Sequence, residues 1–164
     1  MRRQIWPAEW EQIATEWRHT GGDVDRQKFI RYIDHFNNKR YDEVMKYYHP
    51  DVTIEYYTSF ADPKSPARTQ RGLDGFLQQY QSLHQHCREA LEIGDFMLDG
   101  NLMAAEVYSE FHFFKDYANF TRGPMKAGDI LVMTNWCIYN IVDDKFKRIR
   151  VTHFCMHDPK TARL

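Results

Sequence analysis

Histidine and tyrosine are the residue types of this sequence best suited to acid–base chemistry, and the chain contains 8 His and 10 Tyr. An imidazole exchanges a proton near neutral pH, and a phenol can donate a hydrogen bond to a substrate oxygen. His153 has the most informative position, because Ile149, Val151, Cys155 and His157 flank it at steps of two. Alternate residues of a strand share one face, so this spacing predicts an imidazole within an apolar row. Such a side chain is either a base tuned by burial or a core histidine bonded to a backbone carbonyl.

The spacing of the histidines does not favour a metal site. His153 and His157 lie on one strand face, but at about 3.3 Å per residue they are about 13 Å apart, too far to share one ion. His84 and His86 fall in a predicted helix, where side chains two residues apart diverge. The sequence also contains no GxGxxG, P-loop, GxSxG or HExxH motif. We therefore expect neither a metal nor a cofactor.

The composition is that of one globular domain. The chain has 164 residues, 43% hydrophobic and 27% charged, and its 22 Lys and Arg nearly balance its 23 Asp and Glu. Such a balance gives no net positive charge to attract the phosphates of nucleic acid. No apolar run is long enough for a membrane span. The three cysteines form no CxxC pair and no signal peptide is apparent, which favours a reducing compartment such as the cytoplasm.

The first 20 residues predict an amphipathic helix separate from the rest of the chain. Trp6, Trp10, Ile13 and Trp17 recur at steps of four, three and four, and Gly21-Gly22 ends the pattern. We expect this helix over residues 1–20 and a second unit over residues 21–164. The Trp stripe is expected to pack on that unit or on a second subunit.

The remaining elements are read from periodicity and turn signals. Asp23 is predicted to cap a helix that ends at Asn38, and residues 59–71 are expected to form a mobile loop. Two further helices are predicted over residues 41–48 and 73–86, and strands over residues 52–57, 90–98, 102–114, 129–142 and 146–157.

This order of elements predicts an α+β fold, because the helices come mainly first and the strands mainly last. We expect one strongly curved mixed sheet wrapped around three helices. The strand over residues 130–141 is apolar on both faces, so its second face also needs a cover. A homodimer packed sheet to sheet, or the N-terminal helix, would provide it.

Four segments of the sequence resemble one family. FNNKRYDEVMKYYHPDVTIEYY, GLDGFLQQY, DGNLMAAEVYSEFHF and NWCIYNIVDDKFKRIRV are similar to the SnoaL-like branch of the nuclear transport factor two-like superfamily. The resemblance covers about residues 23 to 157. It implies a cone-shaped α+β barrel that encloses one deep apolar pocket. Members include polyketide cyclases, ketosteroid isomerases, epoxide hydrolases, dehydratases and binding proteins, so the fold alone does not give the activity.

The spacing is also similar to that of scytalone dehydratase, and this similarity implies further site residues. Tyr56 and Asn135 fall where that family has a pocket tyrosine and a pocket asparagine. His86 and His112 fall close to its two active-site histidines. Strand alternation, however, puts His112 outside the pocket if the apolar set Met103 to Phe113 faces inward, unless a bulge reverses the register.

One helix position departs from that enzyme. Phe36 and Asn37 stand where it carries Tyr and Asp, and an amide cannot act as a base. Either a histidine has taken over the role of base, or the chain binds a ligand without catalysis. Together with Phe36 and Asn37, the residues expected to contact the ligand are Val52, Ile54, Met133 and Val151.

The resulting functional hypothesis is a cofactor-independent lyase, isomerase or cyclase that acts on a hydrophobic, oxygenated small molecule of polyketide or terpenoid type. One of His153, His86 and His112 would act as the base, and Tyr56 and Asn135 would polarise a carbonyl or hydroxyl group. The alternative is a non-catalytic binding or dimerisation module of the same fold.

Overall fold

The computed structural model describes residues 25–57 and 65–164 of the chain. The helix expected over residues 1–20 and the expected cap Asp23 lie outside the described residues. The first described helix, α1 (Arg26–Asn37), begins after Asp25, whose carboxylate accepts a hydrogen bond of 2.6 Å from the Lys28 amide. Such a bond satisfies one of the free N–H groups of a first helical turn. Two further helices follow, α2 (Tyr41–Met45) and α3 (Leu73–His84).

Within the described residues, six strands form one sheet in the order β2-β1-β6-β5-β4-β3. Their bounds are β1 (Tyr48–Tyr57), β2 (Arg68–Arg71), β3 (Cys87–Asp99), β4 (Leu102–Phe113), β5 (Ile130–Val142) and β6 (Lys145–His157). Of the neighbouring pairs among these six described strands, β1–β6 is parallel and the others are antiparallel. The sheet is mixed and open, with β2 and β3 at its edges. The predicted α+β class is confirmed.

Some predicted bounds were wrong. The loop expected over residues 59–71 contains β2, whose four residues pair with β1. The short helix ends at Met45 rather than at residue 48, and β1 begins at Tyr48 rather than at Val52. A four-residue edge strand has too few residues to show a period, so only its pairing reveals it.

The apolar faces meet between the helices and one face of the sheet, which we call the inner face. Helix α1 contributes Phe29, Tyr32, Ile33 and Phe36 to this core, and β4 contributes its predicted apolar row. Register shifts in the β1–β6, β3–β4 and β5–β6 pairs mark irregularities that bend the strands. The bend leaves space between α1, α3 and the sheet, and this space is the candidate site. Among the described residues, no helix is long and apolar enough to cross a membrane.

Candidate functional site

A cavity of about 150 Å³ lies between the helices and the inner face of the sheet. Its walls are mostly aromatic and aliphatic. Of the described residues that line it, Thr121 and Arg122 are exposed, and we place the mouth beside them. The polar side chains best placed for chemistry on its walls are Tyr56, Arg68, Gln79, Glu89, Ser109, Arg122, Asn135 and His153.

A bulge in β6 decides which histidine of that strand faces the cavity. His153 pairs with Asn135, whereas Cys155 pairs with Thr134, so Phe154 is an extra residue. The extra residue reverses the alternation, and His157 lies on the outer face, where its Nε2 is 2.8 Å from the Thr134 hydroxyl oxygen. The predicted row is therefore correct up to His153 and wrong for Cys155 and His157.

His153 is held by a short chain of hydrogen bonds. Its Nδ1 is 2.5 Å from Oδ1 of Asn135, and Nδ2 of Asn135 donates to the Ser109 hydroxyl oxygen at 3.2 Å. Both Asn135 and Ser109 are buried. An amide oxygen can only accept, so Nδ1 carries the hydrogen and the lone pair of the neutral ring is on Nε2. The arrangement fixes the tautomer that can take up a proton at Nε2.

The electrostatic environment keeps this imidazole neutral. Burial lowers the pKa of His153 to about 4, and the positive charges of Arg122 and Arg68 also lower it. Near pH 7 the ring is therefore uncharged, and its lone pair is available. The corresponding imidazolium is a stronger acid than an ordinary histidine and returns its proton readily.

Tyr56 places a phenol on the wall of the same cavity. Its hydroxyl donates to Oε1 of Gln70 at 3.2 Å, and the guanidinium carbon of Arg68 lies 3.9 Å from the ring centroid. Burial raises the pKa of Tyr56 to about 12, so the hydroxyl stays protonated. It is a hydrogen-bond donor rather than a base at neutral pH.

Glu89 is a cavity residue that the sequence analysis missed. It is 6% exposed, and its Oε2 is 3.2 Å from Nε2 of His84, whose Nδ1 is 2.7 Å from the Tyr41 hydroxyl. Burial raises the pKa of Glu89, while the bond to His84 opposes the rise. The pattern that identified His153, a polar residue within an apolar row of a strand, also applies to Glu89. Glu89 alternates with Cys87 and Leu91, so its carboxyl group lies in an otherwise apolar row.

Two of the expected histidines lie outside the cavity lining. Nδ1 of His86 is 3.0 Å from the Ser82 carbonyl oxygen, and its ring stacks on Tyr117 at 4.1 Å. Nε2 of His112 is 2.7 Å from Oε2 of Glu110, on the outer face of β4. The expectation that either projects into the pocket is wrong, because α3 ends before His86 and β4 keeps a regular alternation through His112.

Asn37 supports the sheet instead of lining the cavity. Its Nδ2 donates to the Leu91 carbonyl oxygen at 2.9 Å, and its Oδ1 accepts from the Leu91 amide at 2.8 Å. Both ends of the side-chain amide are thus used by the backbone of β3. Of the apolar residues expected at the ligand, Val52 is in the core, and Phe36, Ile54, Met133 and Val151 line the cavity.

The protein can also be placed by comparison with known families. Residues 29–149 match the SnoaL-like domain family, SnoaL_2. The chain belongs to the SnoaL-like family. The match includes the elements that build most of the cavity wall, and it confirms the resemblance seen in the sequence. A search of curated proteins found no match.

Solved structures share the fold of this SnoaL-like chain. A candidate polyketide cyclase of Pseudomonas putida KT2440 is 21% identical, with a TM-score of 0.57, and the alignment covers 76% of this chain and 85% of that one. A candidate ketosteroid isomerase of Kribbella flavida is 17% identical, with a TM-score of 0.54 and coverage of 78% and 76%. TerC, co-crystallized with polyporic acid, is 13% identical, with a TM-score of 0.55 and coverage of 77% and 88%. At these identities the likeness establishes a common SnoaL-like fold.

Proposed function

We propose that this protein is a cofactor-independent enzyme of the lyase, isomerase or cyclase type, acting on a hydrophobic, oxygenated small molecule. The observation that carries the proposal is the His153–Asn135 pair inside an apolar cavity. An aligned, neutral imidazole beside a bound substrate is the arrangement that general base catalysis requires. The fold neighbours named as a polyketide cyclase and a ketosteroid isomerase support the same class of reaction.

The proposed step is proton transfer at carbon. Nε2 of His153 takes a proton from a carbon next to a carbonyl group, and the electron pair of that C–H bond moves onto the carbonyl oxygen. The Tyr56 hydroxyl exchanges its hydrogen bond to Gln70 for one to the resulting enolate oxygen. The imidazolium then returns its proton. In an isomerisation the substrate carries a neighbouring C=C bond, and the proton goes to the far carbon of the resulting dienolate as the C=O bond re-forms. In a dehydration the enolate re-forms C=O and a new C=C bond as the C–O bond to a β-hydroxyl breaks, and the proton converts the departing hydroxyl to water. Asn135 acts as a positioning residue for His153.

Deuterium exchange into a simple carbon acid tests this proposal. We expect the protein to accelerate exchange at the benzylic CH2 of 2-tetralone in D2O, measured by NMR, in a saturable manner. His153→Gln should reduce this acceleration by about 100-fold or more, the range of a general base. His157→Gln is the matched control, because His157 lies on the same strand but outside the cavity. This variant should accelerate deuterium exchange into 2-tetralone as much as the wild-type protein does.

Equal exchange by the original protein and His153→Gln would contradict the proposed mechanism. If the original protein binds 2-tetralone with saturation but does not accelerate exchange, the alternative of a binding module is favoured. That alternative is motivated by Asn37, which bonds the Leu91 backbone where a related enzyme has a carboxylate.

We further propose that the protein is a homodimer that works in secondary metabolism in a reducing compartment such as the cytoplasm. The dimer is supported by exposed apolar side chains on β6, where Phe154 is 67% and Met156 51% exposed. The compartment is supported by the free thiols of Cys87, Cys137 and Cys155.

Sedimentation of the wild-type protein and of Phe154→Ser tests the dimer. We expect a dimer for the first and a monomer for the second.

A further inference from the structure

Two arginines reach the cavity from distant parts of the chain. Arg68 belongs to the edge strand β2, and Arg122 to the segment between β4 and β5. Arg68 is partly buried against the Tyr56 ring, whereas Arg122 is at the mouth. A positive charge therefore stands on the wall and another at the entrance of a mostly apolar cavity.

Neither arginine has an ion-pair partner within the part of the chain that the structure describes. Other arginines do: Arg148 lies 2.8 Å from Glu55, and Arg163 lies 2.9 Å from Glu92. Across residues 25–57 and 65–164, Glu89 is the acidic residue on the cavity wall, and its partner is His84. Arg68 is partly withdrawn from water without a counter-charge, which is costly, and Arg122 is exposed at the mouth with its charge free to meet a ligand. Both arginines are therefore suited to an incoming anion.

The effect of both charges converges on His153. Arg122 and Arg68 are the charged groups that lower the pKa of this imidazole, so both act at the position where the substrate would react. An anion bound by these guanidinium groups would cancel part of that potential. The pKa of His153 would then rise, and the imidazole would become a stronger base only when a substrate is present.

We propose that Arg68 and Arg122 bind an oxyanion of the substrate, and that the substrate class is a hydrophobic ring compound with a carboxylate or an acidic enol. This inference rests on the proposed function for its catalytic meaning, but its binding part stands alone. The apolar wall takes the ring, the guanidinium groups take the charge, and His153 faces the reacting carbon. Arginine forks match the planar geometry of a carboxylate or of a conjugated enolate.

Calorimetric titration with matched probes tests the inference. We expect 2-naphthoate to bind at least about 10-fold more tightly than the neutral naphthalene-2-carboxamide, since charge-assisted hydrogen bonds are the stronger kind. The enol form of the anion is tested with 2-hydroxy-1,4-naphthoquinone against its methyl ether. Preference for one anionic probe assigns the source of the charge to that group, and preference for both supports the shared chemistry.

Substitutions of Arg68 and Arg122 test whether these two side chains bind the anionic probe. Arg68→Gln and Arg122→Gln should each weaken binding of the anionic probe about 10-fold and leave the neutral probe unchanged. Arg71→Gln is the matched control, because Arg71 is an exposed residue of the same strand β2 and does not line the cavity. Thermal unfolding of each variant checks that it is folded.

The inference is overturned if anionic and neutral probes bind equally, if no probe binds, or if Arg71→Gln weakens anion binding as much as the other two. These outcomes are separate from failure of the proposed catalysis. A protein that selects the anion but does not accelerate deuterium exchange would retain this inference and lose the enzymatic proposal.

Discussion

His153 differs from the other histidines of the fold in its surroundings. His84 bonds to a carboxylate and a phenol, and His112 bonds to a carboxylate, whereas His153 bonds to a neutral amide and stands near two guanidinium groups. The amide oxygen of Asn135 holds the ring in one tautomer without bringing a negative charge to it. His153 lines the cavity, whereas His84 and His112 do not, so we assign the proposed role of base to His153.

The protonation of His153 as a function of pH tests the environment assigned to its ring. NMR titration of its ring should give a pKa of about 4, against an ordinary value of 6.5, and Arg122→Gln should raise it. The pKa of His153 is lower in the folded state than in the unfolded state. At pH values between these two pKa values, the unfolded state therefore binds more protons. The contribution of His153 to the free energy of unfolding is therefore complete above the unfolded pKa and declines as the pH falls toward the folded one. A titration near 6.5 would contradict the assigned environment.

Two short irregularities determine the elements that surround the site. The extra residue Phe154 turns the end of β6 outward after His153. The end of α1 depends on Lys39, whose backbone has φ of 54° and whose amide donates to the Phe36 carbonyl oxygen at 2.9 Å. A side chain is disfavoured in this left-handed conformation, where helices commonly place glycine.

A pair of substitutions at Lys39 tests the backbone conformation at the end of α1. Lys39→Gly and Lys39→Ala both remove the charge, so the difference between them reports the backbone conformation. We expect the glycine variant to be more stable by about 1 kcal/mol, measured by urea unfolding. Equal stability of the two variants would show that the end of α1 does not adopt the left-handed conformation in solution.

In the whole molecule, residues 161–164 pack on the outer face of β3 and β4. Glu110 is fully buried there and accepts hydrogen bonds from the Arg163 and Leu164 amides and from the Tyr108 hydroxyl, and its Oε2 lies 2.7 Å from Nε2 of His112. Burial raises the pKa of Glu110, but these hydrogen bonds outweigh it and the net pKa is lowered. One carboxylate thus ties the last residues to β4.

Glu110→Gln should release this segment. The amide replaces a charged acceptor with a neutral group, so we expect the Arg163 and Leu164 amides to exchange hydrogen at least about 10-fold faster. Acid should have the same effect on the original protein: the attachment is present above the ordinary carboxyl pKa and is lost as the pH falls through the lowered one. Glu106→Gln, on the same row of β4, is the control and should leave both amides protected. Unchanged exchange in Glu110→Gln would contradict the attachment.

The sequence by itself determined the α+β class, most strand positions and the inward direction of His153. Those features follow from the local alternation of polar and apolar residues, and burial on one face of a strand imposes that alternation. Glu89 carried the same local signal, although the sequence analysis did not use it.

Only the tertiary structure decided which polar groups meet. The bulge at Phe154, the bond from Asn37 to Leu91 and the convergence of Arg68 and Arg122 each depend on how segments far apart in the chain pair and pack. A periodic pattern contains no information about such partners. The residues that face the cavity can therefore be read from the strands, but the charge that the cavity presents cannot.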